Sequence, residues 1–137
     1  MYVLDTNVIS ELRNGKAKPS PAVRSWAADR PANELYLSAV TVMELEIGVS
    51  QMERRDDAQG RILRAWLEQV MLNFERRVLA FTGLTAMFCA RLHVPDPKSF
   101  RDSMIAATAL EHGFTVVTRN VGDFERIPHL QLHNPWA

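Results

Sequence analysis

The chain has 137 residues, of which 47% are hydrophobic and 23% charged, and this balance predicts one globular domain over residues 1–137 rather than a disordered or fibrous protein. Sixteen Lys plus Arg offset sixteen Asp plus Glu, which excludes a protein that holds long nucleic acid by its net charge alone. The single cysteine, Cys89, excludes an intrachain disulfide, and because the sequence shows neither a signal leader nor an apolar membrane span, we expect a cytoplasmic protein with no membrane contact.

Five short apolar runs are predicted to be buried strands, because their length suits a strand better than a buried helix. They are Tyr2–Leu4, Leu35–Leu37, Val78–Phe81, Phe114–Val117 and, more weakly, Leu130–Leu132.

Helical segments separate these strands. The clearest, from Gly60 to Arg77, repeats its apolar residues three and four positions apart, so that they form one broad stripe. The others run from Pro21 to Pro31, from about Thr85 to His93, and from Arg101 to His112 with Gly113 as the stop. Strands that alternate with helices predict an α/β fold with three layers, α/β/α, around a mostly parallel sheet. In that architecture the carboxyl ends of the strands open onto the ligand crevice.

Four acidic residues lie where this fold would place a site. Asp5 ends the first strand, Glu44 follows the second strand by one or two helical turns, and Asp123 closes the turn after the Phe114–Val117 strand. Asp102 stands in the first turn of a helix, and it joins the others only if that helix begins at the same edge of the sheet. The fold therefore predicts that at least three of these carboxylates lie close together.

Each acid taken alone has a simpler interpretation as a helix cap. Asp5 could cap a helix that begins near Thr6. The spacings Thr41-x-x-Glu44, Ser99-x-x-Asp102 and Asn120-x-x-Asp123 each approximate a capping box.

Four caps at one sheet edge would also be four neighbouring negative charges. Two unit charges about 4 Å apart repel by roughly 4 kcal/mol at an effective dielectric of 20. A hard divalent cation such as Mg²⁺ or Mn²⁺ would offset that repulsion, and it would also suit the hydrolysis of phosphodiester bonds. Nearby hydroxyl and amide groups would then orient the carboxylates or waters, although for Ser38 and Asn120 turn and cap chemistry explains the residue equally well. The residues expected to orient the acids in this way are Thr6, Asn7, Ser38, Thr118 and Asn120.

The blocks that contain these acids resemble the four signature blocks of PIN-domain ribonucleases, and most of all those of the VapC-type toxins. The C-terminal Asn134-Pro135-Trp136 is similar to their FitB-like branch. The blocks are Leu4-Asp5-Thr6-Asn7-Val8-Ile9-Ser10, Leu37–Leu45, Asp102-x-x-Ile105-Ala106-Ala107-Thr108-Ala109 and Thr118-Arg119-Asn120-x-x-Asp123-Phe124.

This resemblance implies a compact α/β/α domain with Mg²⁺- or Mn²⁺-dependent endoribonuclease activity. It implies a homodimer and a small cognate antitoxin, through which alone operator DNA is bound. Carried over by position, Asp5, Glu44, Asp102 and Asp123 become the catalytic, metal-binding acids. Two departures concern substrate choice: Thr82 stands where many relatives have an acid, and the segment from 93 to 101 is short.

Two other functions compete with this hypothesis. A phosphatase that uses Asp5 as nucleophile would need an aspartate two residues later, where Asn7 stands. A non-catalytic RNA- or partner-binding module of the same fold would keep the acids as caps. Cys89 near His93, and His129 with His133, lack the further residues that a nucleophilic or zinc site needs.

Overall fold

The computed structural model describes residues 1–137. Its strands are β1 (Tyr2–Leu4), β2 (Leu35–Ser38), β3 (Val78–Leu79), β4 (Thr115–Val117) and β5 (Leu132–His133). Its α-helices are α1 (Thr6–Glu11), α2 (Pro21–Ala28), α3 (Ala39–Arg55), α4 (Asp57–Asn73), α5 (Gly83–Leu92) and α6 (Phe100–His112). The strands form one sheet in the order β3-β2-β1-β4-β5, and every neighbouring pair is parallel. The predicted α/β fold with a parallel sheet is confirmed.

The alternation of side chains along the strands divides the interior into two cores, one on each face of the sheet. Leu4 and Val117 belong to one core, which also contains buried side chains of α1, α2, α3 and α4. Their neighbours Val3 and Val116 belong to the other core, which α6 covers with Ile105 and two alanines. Helices therefore bury both faces, as the apolar sequences of β1 and β4 require.

Several predicted boundaries differ from the structure. The helix expected to reach Arg77 ends at Asn73, because the Arg77 side chain turns back and donates to the carbonyls of Ala32, Leu35 and Asn73. The last strand begins at Leu132 rather than Leu130, after His129 adopts a φ of 66° that strand backbone does not allow. The third strand is shorter than predicted and stops at Leu79.

Helices α3 and α4 form a long hairpin around Asp56, which ends one helix and caps the next by accepting from the amide of Gln59. Arg64 of α4 ties the two helices together through Glu46 at 2.7 Å and Glu53 at 2.9 Å. Hydrogen bonding to Arg64 lowers the pKa of Glu46 to about 2, so this exposed network stays charged at neutral pH. No helix of the structure has the length and apolar character needed to cross a bilayer.

The close approach of the two helices depends on Gly60. A methyl group at that position would lie 2.6 Å from the Cα of Glu53, which is backbone and cannot move aside easily. We expect Gly60→Ala to destabilise the fold by about 1–3 kcal/mol through overpacking. Urea denaturation would measure the change.

Gly48 is the matched control, because it also lies inside a helix of this hairpin but has open space around its Cα. Gly48→Ala should be neutral or stabilise by up to about 1 kcal/mol, since alanine favours helix more than glycine does. An equal loss of stability in both variants would contradict the role assigned to Gly60.

Candidate active site

The candidate site lies where the three central strands end. Asp5, Ser38 and Thr118 end or directly follow β1, β2 and β4, which are neighbours in the sheet. The amide of Asp5 continues the ladder by donating to the carbonyl of Val117 at 2.9 Å. The sheet itself therefore brings residues far apart in sequence to one edge.

The carboxylate of Asp5 is completely buried, and every one of its contacts comes from a donor. Oδ1 accepts from the amide of Thr6 at 2.7 Å and from Nη2 of Arg101 at 2.6 Å. Oδ2 accepts from the hydroxyl of Thr118 at 2.7 Å and from Nδ2 of Asn7 at 3.5 Å. These donors offset the cost of burying a charge and fix the orientation of the carboxylate.

Glu44 reaches the same place from the second turn of α3. Its Oε1 accepts from the hydroxyl of Thr6 at 2.6 Å, and its Oε2 accepts from Nε of Arg101 at 2.5 Å. The Thr6 hydroxyl also lies 3.3 Å from that of Thr41, which in turn contacts Ser38. One threonine on α1 thus positions an acid on α3.

Asp102 and Asp123 complete the cluster from two other elements. The start of α6 faces the same edge of the sheet, since Asp102 and Asp5 both bind the guanidinium of Arg101. Asp123 lines the cleft from the turn after β4, and its carboxylate makes no hydrogen bond or ion pair. The cleft has a volume of about 450 Å³ and no hydrophobic lining residue. Its lining residues are Thr6, Asn7, Ser10, Glu44, Arg101, Asp102, Asn120 and Asp123.

Arg101 is the residue of this site that sequence reasoning missed. Its guanidinium binds Asp5, Glu44 and Asp102 through three different nitrogens at 2.5–2.9 Å. Burial disfavours its charge, but the hydrogen bonds that it donates to these three carboxylates, together with the charge of Asp5, outweigh that effect and raise the pKa of Arg101 above its ordinary value. The side chain is therefore a cation at neutral pH.

The match of this chain to known proteins is extensive. The model of the family described as "PIN domain" matches residues 2–130. The chain belongs to the PIN-domain family. The "VapC ribonuclease Y4jK" of Sinorhizobium fredii is 40% identical and covers 99% of this chain and 98% of its own length. The "Toxin FitB" of Neisseria gonorrhoeae is 34% identical and covers 99% of both proteins.

A solved structure supports the same assignment. The structure described as "FitAB bound to IR36 DNA fragment" contains a chain that superposes on this PIN domain with a TM-score of 0.89. The two chains are 33% identical, and the alignment covers 100% of this chain and 96% of that one. The resemblance read from the four sequence blocks is thereby confirmed at the level of family and fold.

The cap interpretation of the acids holds for Asp5 but not for the others in this PIN domain. Asp5 caps α1 through the amide of Thr6. Helix α3 is capped by Ser38, which accepts from the amide of Thr41, so the capping box predicted with Glu44 is wrong. Ser99 accepts from the amide of Asp102, while the Asp102 carboxylate binds Arg101.

Asn120 and Thr82 behave in opposite ways. Asn120 makes no side-chain cap for the short 3₁₀ turn that contains Asp123. Thr82, the position where an acid was expected from the resemblance, caps α5 by hydrogen-bonding with Thr85 in both directions. Its hydrogen bonds thus serve the helix and not the acid cluster.

The five residues predicted to support the acids take unequal parts. Thr6, Asn7 and Thr118 contact acids of the cluster directly. Asn120 lines the cleft, and its backbone N–H donates to the Thr118 hydroxyl at 3.0 Å. Ser38 lies one contact further away, behind Thr41. The first three support the site, and Ser38 acts chiefly as a cap.

The chemistry of the cleft suits a hard divalent cation, since its acidic donors are carboxylate oxygens flanked by hydroxyls and amides. Four carboxylates also leave an excess of negative charge beyond the one cation of Arg101. In the structure no three acidic or other metal-binding side chains converge closely enough to hold an ion, and Arg101 takes an oxygen from three of the carboxylates. The carboxylate oxygens therefore suit a divalent metal ion. In this structure, however, the guanidinium of Arg101 binds three of the carboxylates in its place.

The buried hydroxyl of Thr118 donates to the carboxylate of Asp5, and removing this hydroxyl tests how much the hydrogen bond stabilises the fold. Thr118→Val keeps the shape but takes away the donor to Oδ2, so we expect stability to fall by about 1–3 kcal/mol. Thr115→Val is the control, because that hydroxyl lies on the same strand but bonds Gln131 at the surface. The control should stay within about 0.5 kcal/mol of the wild type. Chemical denaturation measures both, and equal effects would contradict the role of Thr118.

Proposed function

We propose that this PIN domain is a metal-dependent endoribonuclease that acts as the toxin of a type II toxin-antitoxin pair. The observation that carries the proposal is that Glu44, Asp102 and Asp123 line one polar cleft, and that Arg101 joins the buried Asp5 to Glu44 and Asp102. The names of two full-length relatives, a VapC ribonuclease and a FitB toxin, support the same activity. The substrate in this proposal is RNA, and the reaction is hydrolysis of its phosphodiester bonds.

The residues have distinct roles in this reaction. Asp5, Glu44, Asp102 and Asp123 would hold Mg²⁺ or Mn²⁺, which when bound supplies a water of lowered pKa and offsets charge on the phosphate oxygens. Thr6 fixes Glu44 at 2.6 Å, and Thr118 fixes Asp5 at 2.7 Å, so two of the acids keep their orientation without rearrangement. Held in place before the substrate arrives, such groups cost little reorganisation during the reaction.

A second cleft adjoins the acids and suits the approach of an RNA strand. Its volume is about 360 Å³, and it shares Thr6, Ser10 and Glu44 with the acidic cleft. Arg13 and Lys16 supply positive charge in this second cleft, and Trp66 supplies an aromatic surface. Basic groups that contact phosphates and aromatic rings that stack on bases are the usual elements of single-strand binding. The neutral whole chain thus carries its basic groups close to the acids.

One observation favours the alternative, a non-catalytic RNA- or partner-binding module with a PIN-domain fold. Arg101 already neutralises part of the acid cluster, which could then serve only to hold α6 on the sheet. The two functions differ in whether RNA is cut, so one assay separates them.

The assay compares cleavage of structured RNA by the wild type, Asp5→Asn and Asp102→Asn, with Mg²⁺, Mn²⁺ or chelator present. Loss of a residue that merely supports a metal ligand costs roughly 10- to 100-fold in activity, so loss of a ligand should cost at least as much. Glu125→Gln is the control, because Glu125 is exposed and makes no ion pair. Circular dichroism verifies that each variant is folded. Cleavage that persists in both variants and in chelator would exclude the proposal.

The proposal includes a small antitoxin as partner, a second copy of the chain, and operator DNA bound only through the antitoxin. A solved structure of the FitAB proteins is described as bound to a DNA fragment, which supports this assembly. The face formed by α3 and α4 exposes apolar side chains such as Met43 (52% exposed) and Leu72 (66%). An apolar groove of about 790 Å³ contains both residues. Exposed apolar groups of this kind mark interaction surfaces.

The partner surface can be tested by co-expression with the small reading frame next to the gene. We expect its product to co-purify with the wild type and to be lost from Leu72→Glu, because a carboxylate in an apolar interface is not solvated. Leu84→Glu on α5 is the control, since Leu84 is 60% exposed and lies outside the groove. Pull-down with size-exclusion chromatography measures the complex. Retention of the partner by Leu72→Glu would exclude this surface.

A further inference from the structure

Arg101 lies among the carboxylates of the acidic cleft, where a positive charge offsets their mutual repulsion. Its side chain binds Asp5, which follows β1, Glu44 from α3 and Asp102 from its own helix, at 2.6, 2.5 and 2.9 Å. The three contacts use Nη2, Nε and Nη1, so the whole guanidinium is engaged. No other cationic side chain forms an ion pair with these acids.

We propose that Arg101 is a resident counter-ion that competes with the divalent cation for the acid cluster. The inference rests on the proposed function, and it adds that metal binding requires the guanidinium to leave. In the absence of metal, Arg101 offsets the repulsion between the carboxylates and keeps α6 against the sheet edge. Its departure releases carboxylate oxygens to the metal.

The competition follows from how the carboxylate oxygens are shared. One oxygen of Glu44 is held by the Thr6 hydroxyl and the other by Arg101. One oxygen of Asp5 is held by Thr118 and Asn7, and the other by the Thr6 amide and Arg101. A cation shared by Asp5, Glu44 and Asp102 must lie between them, in the space that the guanidinium of Arg101 fills. Thr6 is fixed by the first turn of α1, so the mobile group is the arginine.

The position of Arg101 allows it to leave. Its side chain is 33% exposed, which gives it a route to solvent, whereas Asp5 is completely buried. Arg101 is the second residue of α6, and a long side chain at a helix start can change rotamer without moving the helix. With the guanidinium outside, the cluster carries four uncompensated negative charges. That excess favours a divalent cation over the monovalent group that it replaces.

An arginine with only a structural role makes the opposite prediction. If Arg101 merely assembled the cluster, its removal would loosen the carboxylates and weaken metal binding. If it competes, its removal strengthens metal binding. Should the guanidinium hold the carboxylates in about nine molecules of ten, it raises the apparent Kd for the metal about tenfold. The sign of the change therefore separates the two roles.

The experiment titrates RNA-free protein with MnCl₂ by isothermal calorimetry and follows thermal unfolding with EDTA or with Mn²⁺. We expect Arg101→Gln to bind Mn²⁺ about tenfold more tightly than the wild type. Without metal it should unfold at a lower temperature, and saturating Mn²⁺ should raise that temperature more than in the wild type. Arg61→Gln is the control: it removes the same charge from an exposed position of α4 that makes no ion pair, and its affinity should be unchanged.

Arg101→Lys is the second variant, which serves if the glutamine variant does not fold. A single ammonium cannot bind three carboxylates through a rigid fork, so its Mn²⁺ affinity should lie between those of the wild type and Arg101→Gln. Equal or weaker binding in the variants than in the wild type would overturn the inference.

The titration of Asp5→Asn separates this failure from failure of the proposed function. If Asp5→Asn loses Mn²⁺ binding while the Arg101 variants bind no more tightly, the metal site stands and the competition does not. If Asp5→Asn binds Mn²⁺ as the wild type does, the proposed metal site itself is wrong, and the competition is overturned with it.

Discussion

The gathering of four carboxylates at one sheet edge is the constraint on which the rest of this structure depends. Asp5 is the centre of it, because a completely buried carboxylate is stable only with donors on every side. The chain supplies them from α1, from the end of β4 and from the start of α6. Each of these elements is thereby tied to the others by a single charged group. Asp5 is thus both the type of residue expected at a metal site and the side chain that connects α1, the end of β4 and the start of α6.

The parallel sheet explains why such a cluster can form at all. Strands that run in the same direction end at the same edge, so residues more than a hundred positions apart, such as Asp5 and Thr118, become neighbours. The helices on both faces bury the apolar strands and leave that edge as the polar opening of the domain. The acidic cleft and the basic groups beside it then follow from the loops and first helical turns after the strands.

The guanidinium of Arg101 binds three of the four acids, so the acidic cleft is not an open metal site in this structure. A cluster of acids in a fold of this family is expected to be open to metal, yet here the charge is already partly balanced within the chain. The excess of negative charge remains large enough to favour a divalent ion. Binding of such an ion would therefore be an exchange of cations rather than the filling of an open site.

The sequence by itself determined the fold class, the order of the elements and the placement of Asp5, Glu44 and Asp123 after strands of the sheet. Strand length, helical periodicity and the stop at Gly113 are local properties, and local properties are encoded by neighbouring residues. The same reasoning identified Thr6, Asn7 and Thr118, because hydroxyl and amide groups close to the acids in the sequence can orient their carboxylates. It left a capping box open as an alternative for Glu44, since a box and a site acid share the same spacing.

Only the tertiary structure decided which partner each acid has. Arg101 stands beside Asp102 in the chain, but adjacent residues of a helix point in different directions, so nothing in the spacing indicated that both would face Asp5. The long side chain of Arg101 nevertheless reaches Asp5, which lies 96 positions away in the sequence. Whether Asp102 joined the cluster depended likewise on which end of α6 faced the sheet edge. Both outcomes depend on the packing of helix against sheet, and that packing is a property of the whole domain rather than of any segment.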